Sequence, residues 1–169
     1  MLALRPSRRQ TALIVLVLSL GTLGFLWFGG ESDEQAVARS LHELADAVRS
    51  REGESLVFRS ARLNGAFKDR LDPGVTLDAP ELSRLSGIRA LVELGAGAPR
   101  LYGDFDVEVG DLEIEVERPA RTARATGVVT LTGRAEGEAR RETRRVTFRL
   151  AESRGEWLVD GIEVAGRDD

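Results

Sequence analysis

His42 is the only histidine of the chain and the first residue to consider for chemistry. It opens the run His42-Glu43-Leu44-Ala45-Asp46, which begins like the zinc motif H-E-x-x-H but has an aspartate where the second histidine would stand. Zinc binding at this motif needs two histidines one helical turn apart, so we predict no zinc site and interpret His42 as a residue at the core boundary. A serine–histidine triad would also have to use His42, and no G-x-S-x-G turn accompanies it.

The chain has no cysteine, which excludes thiol nucleophiles and thiolate metal sites. Asp104, Asp106 and Glu108 share one face of a predicted strand. Neighbours on one strand face are about 7 Å apart and no calcium-binding loop sequence follows, so we predict a solvated acidic face. Gly95-Ala96-Gly97-Ala98 lacks the full glycine-rich nucleotide motif. No metal and no cofactor are therefore predicted.

Tyr102, the only tyrosine, could donate a hydrogen bond to a developing oxyanion. A lone tyrosine at the start of a strand more often buries its ring and keeps its hydroxyl in water. Arg140-Arg141 and Arg144-Arg145 form a basic hairpin tip. We interpret this tip as a surface of paired charges, with contact to anionic lipid or to a partner as the alternative.

Residues 11–30 are twenty residues without a charged side chain, TALIVLVLSLGTLGFLWFGG. A helix of this length spans about 30 Å at about 1.5 Å per residue, which is the thickness of the bilayer hydrocarbon core. We predict a transmembrane helix that inserts in the lipid bilayer. A cleaved signal peptide is the alternative, although the run ends on the bulky residues 25–28 rather than on a small-x-small cleavage site.

The charges on either side of this segment predict its orientation. Residues 1–30 carry Arg5, Arg8 and Arg9 and no acid, so the net charge of −4 leaves −7 on residues 31–169. The positive-inside rule then makes residues 1–10 a cytoplasmic basic tail and places residues 31–169 in the periplasm or outside the cell. The 23 arginines against one lysine suit a high-GC bacterium and therefore a bacterial inner membrane. The acidic remainder argues against nucleic acid as a partner.

Apolar residues recur at helical spacing in the first half of this exported part. The pattern predicts helices over residues 33–50, 55–71 and 82–94. Between the second and third helices, Asp72-Pro73-Gly74 predicts a turn and residues 75–79 a short strand.

From residue 105 onward the apolar residues alternate, which predicts four long antiparallel strands. The inward parity changes between residues 105–109 and 112–116, so we predict a β-bulge at Gly110-Asp111. The predicted fold class is α+β, with helices on one face of a bent antiparallel sheet behind an N-terminal transmembrane helix.

Three stretches carry a resemblance to a known superfamily: DPGVTLDAP at 72–80, SGIRALVEL at 86–94 and GEWLVDGIEV at 155–164. With the bulged hairpins, they resemble the NTF2-like (SnoaL-like, ketosteroid isomerase-like) superfamily over residues 33–165. The resemblance implies a cone in which helices close the concave face of a curved sheet. It also covers isomerases, cyclases and dehydratases as well as members that only bind, so the fold does not choose among them.

In the isomerase-like members, a carboxylate in the strand before the proline abstracts a proton. Here the position next to Pro80 is Ala79, and Asp78 stands one residue earlier. Strand alternation points Asp78 away from Leu77 and therefore away from a cavity. Asp78 and Tyr102 remain weak catalytic candidates.

We predict a non-catalytic exported domain that binds a partner protein or a small apolar ligand. An envelope isomerase- or cyclase-like enzyme using Asp78 and Tyr102 is one alternative. The other is a subunit of an envelope secretion or transport assembly, acting as a homodimer or with an envelope protein; an anchor before such a domain resembles type IV secretion subunits and Mce-associated membrane proteins. The candidate ligand-binding residues, which could equally fill a packed core, are Phe67, Leu77, Phe105, Val107, Val129, Leu131, Phe148 and Trp157.

Overall fold

The structure, a computed structural model, describes residues 31–135 and 138–166. The tail and transmembrane helix predicted over residues 1–30 lie outside these residues. Within the described part of the chain, no helix is long and apolar enough to cross a membrane. The chain from Asp33 onward forms one compact unit, and the description below concerns that unit.

Four helices form where the apolar spacing predicts them, with shifted ends. They are α1 (Asp33–Val48), α2 (Leu56–Arg70), α3 (Ile88–Gly97) and α4 (Pro99–Tyr102). Acidic Asp33 and Glu34 lie in the first turn of α1, where they complement the helix dipole. The Ser55 side chain caps α2 by accepting a hydrogen bond from the backbone N–H of Phe58 at 3.4 Å.

Six strands form one sheet in the order β2-β1-β6-β5-β4-β3. The strands are β1 (Leu71–Ala79), β2 (Leu82–Ser86), β3 (Phe105–Glu117), β4 (Thr122–Ala135), β5 (Glu138–Ser153) and β6 (Glu156–Val164). β1 pairs with β6 in parallel, and the other neighbouring pairs are antiparallel. The α+β class is confirmed, but the predicted four-stranded antiparallel sheet is wrong because β1 and β2 extend it into a mixed sheet.

The predicted helix over residues 82–94 is wrong in its first turn. Leu82–Ser86 is an edge strand that pairs with β1, and the helix begins at Ile88 after Gly87. Gly87 has φ of 85°, a conformation that favours glycine and turns the chain from strand into helix.

Bulges bend the sheet at three places. The β3–β4 register shifts between Gly110 and Glu113, and Asp111 has φ of 50°, which confirms the predicted bulge. A second shift lies in β6 around Asp160, and a third in β1 between Leu71 and Thr76. Because a bulge bends its strand and increases the local twist, these shifts curve the sheet around one face.

Arginine 59 is the largest fully buried side chain of the described residues, with 2 % of its surface exposed. Its guanidinium donates hydrogen bonds to the carbonyls of Val48 (2.7 Å) and Arg49 (3.0 Å) at the end of α1 and of Gly95 (3.0 Å) in the last turn of α3. The same group lies 5.1 Å from the ring centre of Phe105. Helix ends leave carbonyls without intrahelical partners, so one cation satisfies two helix C-termini and interacts favourably with both dipoles.

Glu54 joins Arg59 to Arg62. Arg62 donates two hydrogen bonds of 2.7 Å to the Glu54 carboxylate, which also lies 3.6 Å from Arg59. These hydrogen bonds, with burial opposing them, lower the pKa of Glu54. Burial lowers the pKa of Arg59, and the Glu54 hydrogen bond raises that of Arg62. Arg62 also donates to the carbonyls of Ala47 and Arg49. The Arg59–Glu54–Arg62 triad therefore joins α1, α2 and α3.

We expect Arg59→Met to lower the free energy of unfolding by about 3 kcal/mol, because three buried carbonyls lose their donor while the apolar bulk is kept. Urea denaturation followed by circular dichroism measures this change. Arg89→Met is the control: Arg89 is 94 % exposed and pairs with Glu93, so we expect a change within about 0.5 kcal/mol. Equal losses in the two variants would contradict the role of the triad.

The lowered pKa of Glu54 predicts a pH dependence of stability. The folded-state pKa lies below the ordinary value of 4.5, so its stabilisation is present above about pH 4.5 and is lost as pH falls through the folded-state pKa. Glu54→Gln should therefore be less stable than wild type at pH 6, and the gap should narrow toward pH 3. Urea denaturation across this range measures the gap, with Glu93→Gln as the matched control. A gap that stays constant with pH would contradict the prediction.

Candidate functional site

An open cavity of about 1700 Å³ lies between the concave face of the sheet and the helices. Its buried floor consists of apolar side chains from five elements, and its rim exposes apolar side chains to solvent. The floor residues are Leu44, Phe67, Leu71, Leu91, Phe105 and Val146. The exposed rim residues are Leu82, Leu94 and Leu101, the last with 70 % of its surface exposed. Exposed apolar groups around an apolar cavity are typical of a ligand-binding entrance.

Two glycines hold α4 against β4 at this rim. A Cβ at Gly133 would lie 2.8 Å from the carbonyl oxygen of Tyr102, and one at Gly103 would lie 2.1 Å from that of Arg134. Gly103 also has φ of 62°. Because neither position has room for a side chain, α4 packs close enough to place the Tyr102 ring at the cavity, edge-on to Phe105 at 6.3 Å.

The inward face of β5 changes from apolar to charged at the cavity mouth. Val146, Phe148 and Leu150 face the core, and the next inward positions toward the hairpin are Arg144, Glu142 and Arg140. Their cross-strand partners on β4 are Val129, Leu131 and Gly133. The cavity therefore passes from an apolar floor to a charged mouth along one pair of strands.

Arg144 organises the inner part of that mouth. Its side chain is 13 % exposed and pairs with Glu142 at 2.6 Å and with Glu81, just before β2, at 3.1 Å. The sequence interpretation missed Arg144 because it grouped residues 140–145 as a surface hairpin tip. The parity of β5 could have found it, since residue 144 shares the parity of the apolar positions 146, 148 and 150.

The eight predicted ligand-binding residues fall into three groups. Five line the large cavity: Phe67, Leu77, Phe105, Val129 and Leu131. Val107 lines a separate pocket of about 360 Å³ beside His42. Phe148 and Trp157 pack in the buried core, where the carbonyl of Trp157 accepts a 3.0 Å hydrogen bond from the buried Ser40 hydroxyl.

The structure does not bring the two weak catalytic candidates together. Asp78 lies in β1 on the face opposite to Leu77; its side chain is 58 % exposed and 4.0 Å from Arg84. Leu77 and Tyr102 line the cavity, and Asp78 does not. A general base must reach its proton within hydrogen-bonding distance, so Asp78 is not placed to act on a ligand in this cavity.

The small pocket beside His42 contains a chain of paired charges. His42 Nε2 lies 3.2 Å from the carbonyl oxygen of Val109, and Arg49 pairs with Asp46 at 3.2 Å and with Asp106. The predicted solvated acidic face on β3 is therefore partly paired. Among the described residues, no group of three or more acidic or histidine side chains is arranged to hold a metal ion.

The sequence matches no protein-family model and no curated protein. Solved structures of similar fold cover most of it. The S. rosetta CaMKII hub aligns with a TM-score of 0.60 at 17% identity, covering 78% of this chain and 95% of that one. A provisionally assigned scytalone dehydratase from Novosphingobium aromaticivorans aligns with a TM-score of 0.61 at 13% identity, covering 78% and 82%. A variant of Rd1NTF2_05 aligns with a TM-score of 0.52 at 19% identity, covering 79% and 100%.

These alignments show a shared fold and confirm the NTF2-like fold expected from the sequence. The aligned proteins include both a hub and an assigned dehydratase, so the fold alone does not give this chain an activity. What the chain does has to be argued from its own cavity.

Proposed function

We propose that this chain is a membrane-anchored, periplasm-facing NTF2-like domain that binds a small apolar ligand without transforming it. The open cavity of about 1700 Å³, with walls of leucine, valine and phenylalanine, is the observation that carries the proposal. Small-molecule sites usually have volumes of about 300–1,000 Å³, so a long-chain ligand would fit. Burying apolar ligand surface against these walls supplies the binding free energy.

The polar groups at the cavity support binding rather than catalysis. Glu81 and Glu142 are both paired with Arg144, and Asp78 lies outside the cavity. A carboxylate held by an arginine is stabilised in its charged form and is a weaker base. Tyr102 is left as a hydrogen-bond donor that can orient a bound ligand.

The two alternative functions rest on other observations. The assigned scytalone dehydratase among the structures of similar fold favours an envelope enzyme, which would need an acid–base pair other than Asp78 with Tyr102. The CaMKII hub favours an assembly subunit. Leu56, Val57 and Phe58 in the first turn of α2 are 48 %, 75 % and 73 % exposed, and an apolar surface of this kind suits contact with a partner protein.

Membrane anchoring rests on the twenty uncharged residues 11–30 and the three arginines before them. We expect the full-length chain to stay in the membrane pellet after alkaline carbonate extraction. Leu16→Arg with Leu18→Arg should release it, because each arginine at the centre of a transmembrane helix costs about 3 kcal/mol. In intact spheroplasts, added protease should digest the part after residue 31. A mature chain that starts near residue 31 and washes off the membrane would contradict the anchor.

Ligand binding can be tested with a photoreactive long-chain alcohol, which carries no charge. We expect this probe to label cavity peptides of the full-length chain in phosphatidylcholine nanodiscs, as mapped by mass spectrometry. Leu131→Gln should reduce this labelling about tenfold, because it places an uncompensated amide in the apolar wall. Thr132→Gln is the matched control, since residue 132 is exposed on the opposite face of the same strand. Equal labelling of both variants would contradict the proposal.

A further inference from the structure

We infer that the ligand of this cavity is an anionic amphiphile: a long apolar chain that ends in a carboxylate or a phosphate. This inference rests on the proposed function and adds the chemistry of the ligand's headgroup. It is carried by which charges around the cavity have a partner and which do not.

Every carboxylate that lines the cavity is paired with an arginine. Glu81 and Glu142 share Arg144, and Glu93 accepts a 3.0 Å hydrogen bond from Arg89. These acids are therefore not available to bind a cationic ligand without first losing their partners.

The remaining charged side chains at the cavity are Arg100, Arg140 and Arg141. Across residues 31–135 and 138–166, none of the three has an ion pair or a side-chain hydrogen bond. Five arginines, with Arg89 included, thus meet three glutamates around the mouth. The charge left uncompensated there is positive, and it selects for an anion.

The backbone brings two of these arginines to the same end of the cavity. Arg140 is an inward position of β5 and pairs with Gly133 of β4. Gly133 is also where α4 approaches the sheet, through the carbonyl of Tyr102, and α4 carries Arg100. Because Gly133 has no side chain, the space between Arg140 and α4 is left open on the concave face.

The apolar walls begin next to this pair of arginines. Leu131 follows Gly133 at the next inward position of β4, and Leu101 and Phe105 come from the α4 side. A headgroup bound at Arg100 and Arg140 would therefore have its chain directed along leucine, valine and phenylalanine. Guanidinium groups bind carboxylates and phosphates through two parallel hydrogen bonds, so the arginines suit either headgroup.

The test compares three photoreactive probes with the same sixteen-carbon chain: the alcohol, the carboxylate and the phosphate monoester. Each is crosslinked to the full-length chain in phosphatidylcholine nanodiscs, and labelled cavity peptides are quantified. We expect at least one anionic probe to label these peptides about tenfold more than the alcohol, as two charge-assisted contacts would give. The stronger of the two anions then distinguishes a fatty-acid-like ligand from a phosphate-bearing lipid.

The double variant Arg100→Gln with Arg140→Gln should bring the ratio of anion to alcohol labelling close to one. Arg145→Gln is the matched control, because Arg145 is exposed on the opposite face of β5 and should keep the wild-type ratio. Equal labelling by all three probes in the wild type, or an unchanged ratio in the double variant, would overturn the headgroup inference while cavity binding stands. Failure of every probe to label the cavity would overturn the proposed function as well.

Discussion

The structure depends on one buried cation. The Arg59 guanidinium is removed from water, and a charge in that position persists only if its donors are satisfied by acceptors that are also removed from water. The acceptors here are the last carbonyls of α1 and of α3, which would otherwise lack partners inside the protein. Each group solves the other's problem, and the result fixes three helices relative to one another. Since Arg59 also packs on Phe105, the helical layer and the first strand of the main hairpin share one junction.

This junction explains how the domain can be packed at one end and open at the other. Val37, Leu41 and Leu150 are almost fully buried and form part of a continuous core with Trp157. Toward the β4–β5 hairpin the same inward faces carry Val129 and Leu131, which are only partly buried. The helices are held at their C-terminal ends by hydrogen bonds rather than by contact with every part of the sheet, so the cavity does not have to be filled for the layers to stay together.

The sequence predicted those features that depend on neighbouring residues. Helix α1 and the Gly110-Asp111 bulge follow from local periodicity and parity, and both are present in the structure. The strand at Leu82–Ser86 was predicted as a helix because five residues are too few to show a period, and its pairing with β1 decides the conformation. The candidate site was predicted in part: Leu77 and Leu131 alternate with polar neighbours, whereas the inward direction of Arg144 depends on its register opposite Val129. Nothing local marks Arg59 as buried, since its acceptors come from residues 10 to 36 positions away.

The position of β6 has a consequence for how the fold is completed during synthesis. β6 is the last described strand in the chain but occupies the middle of the sheet, between β1 and β5. Until residues 156–164 have emerged, β1 and β2 have no hydrogen-bonded connection to the β3–β5 meander, and the curved face is divided in two. Joining them closes a loop of more than eighty residues in a single parallel pairing, a slow kind of contact to form. A nascent chain of this protein would therefore remain unfinished, with its apolar faces uncovered, almost to the end of its translation.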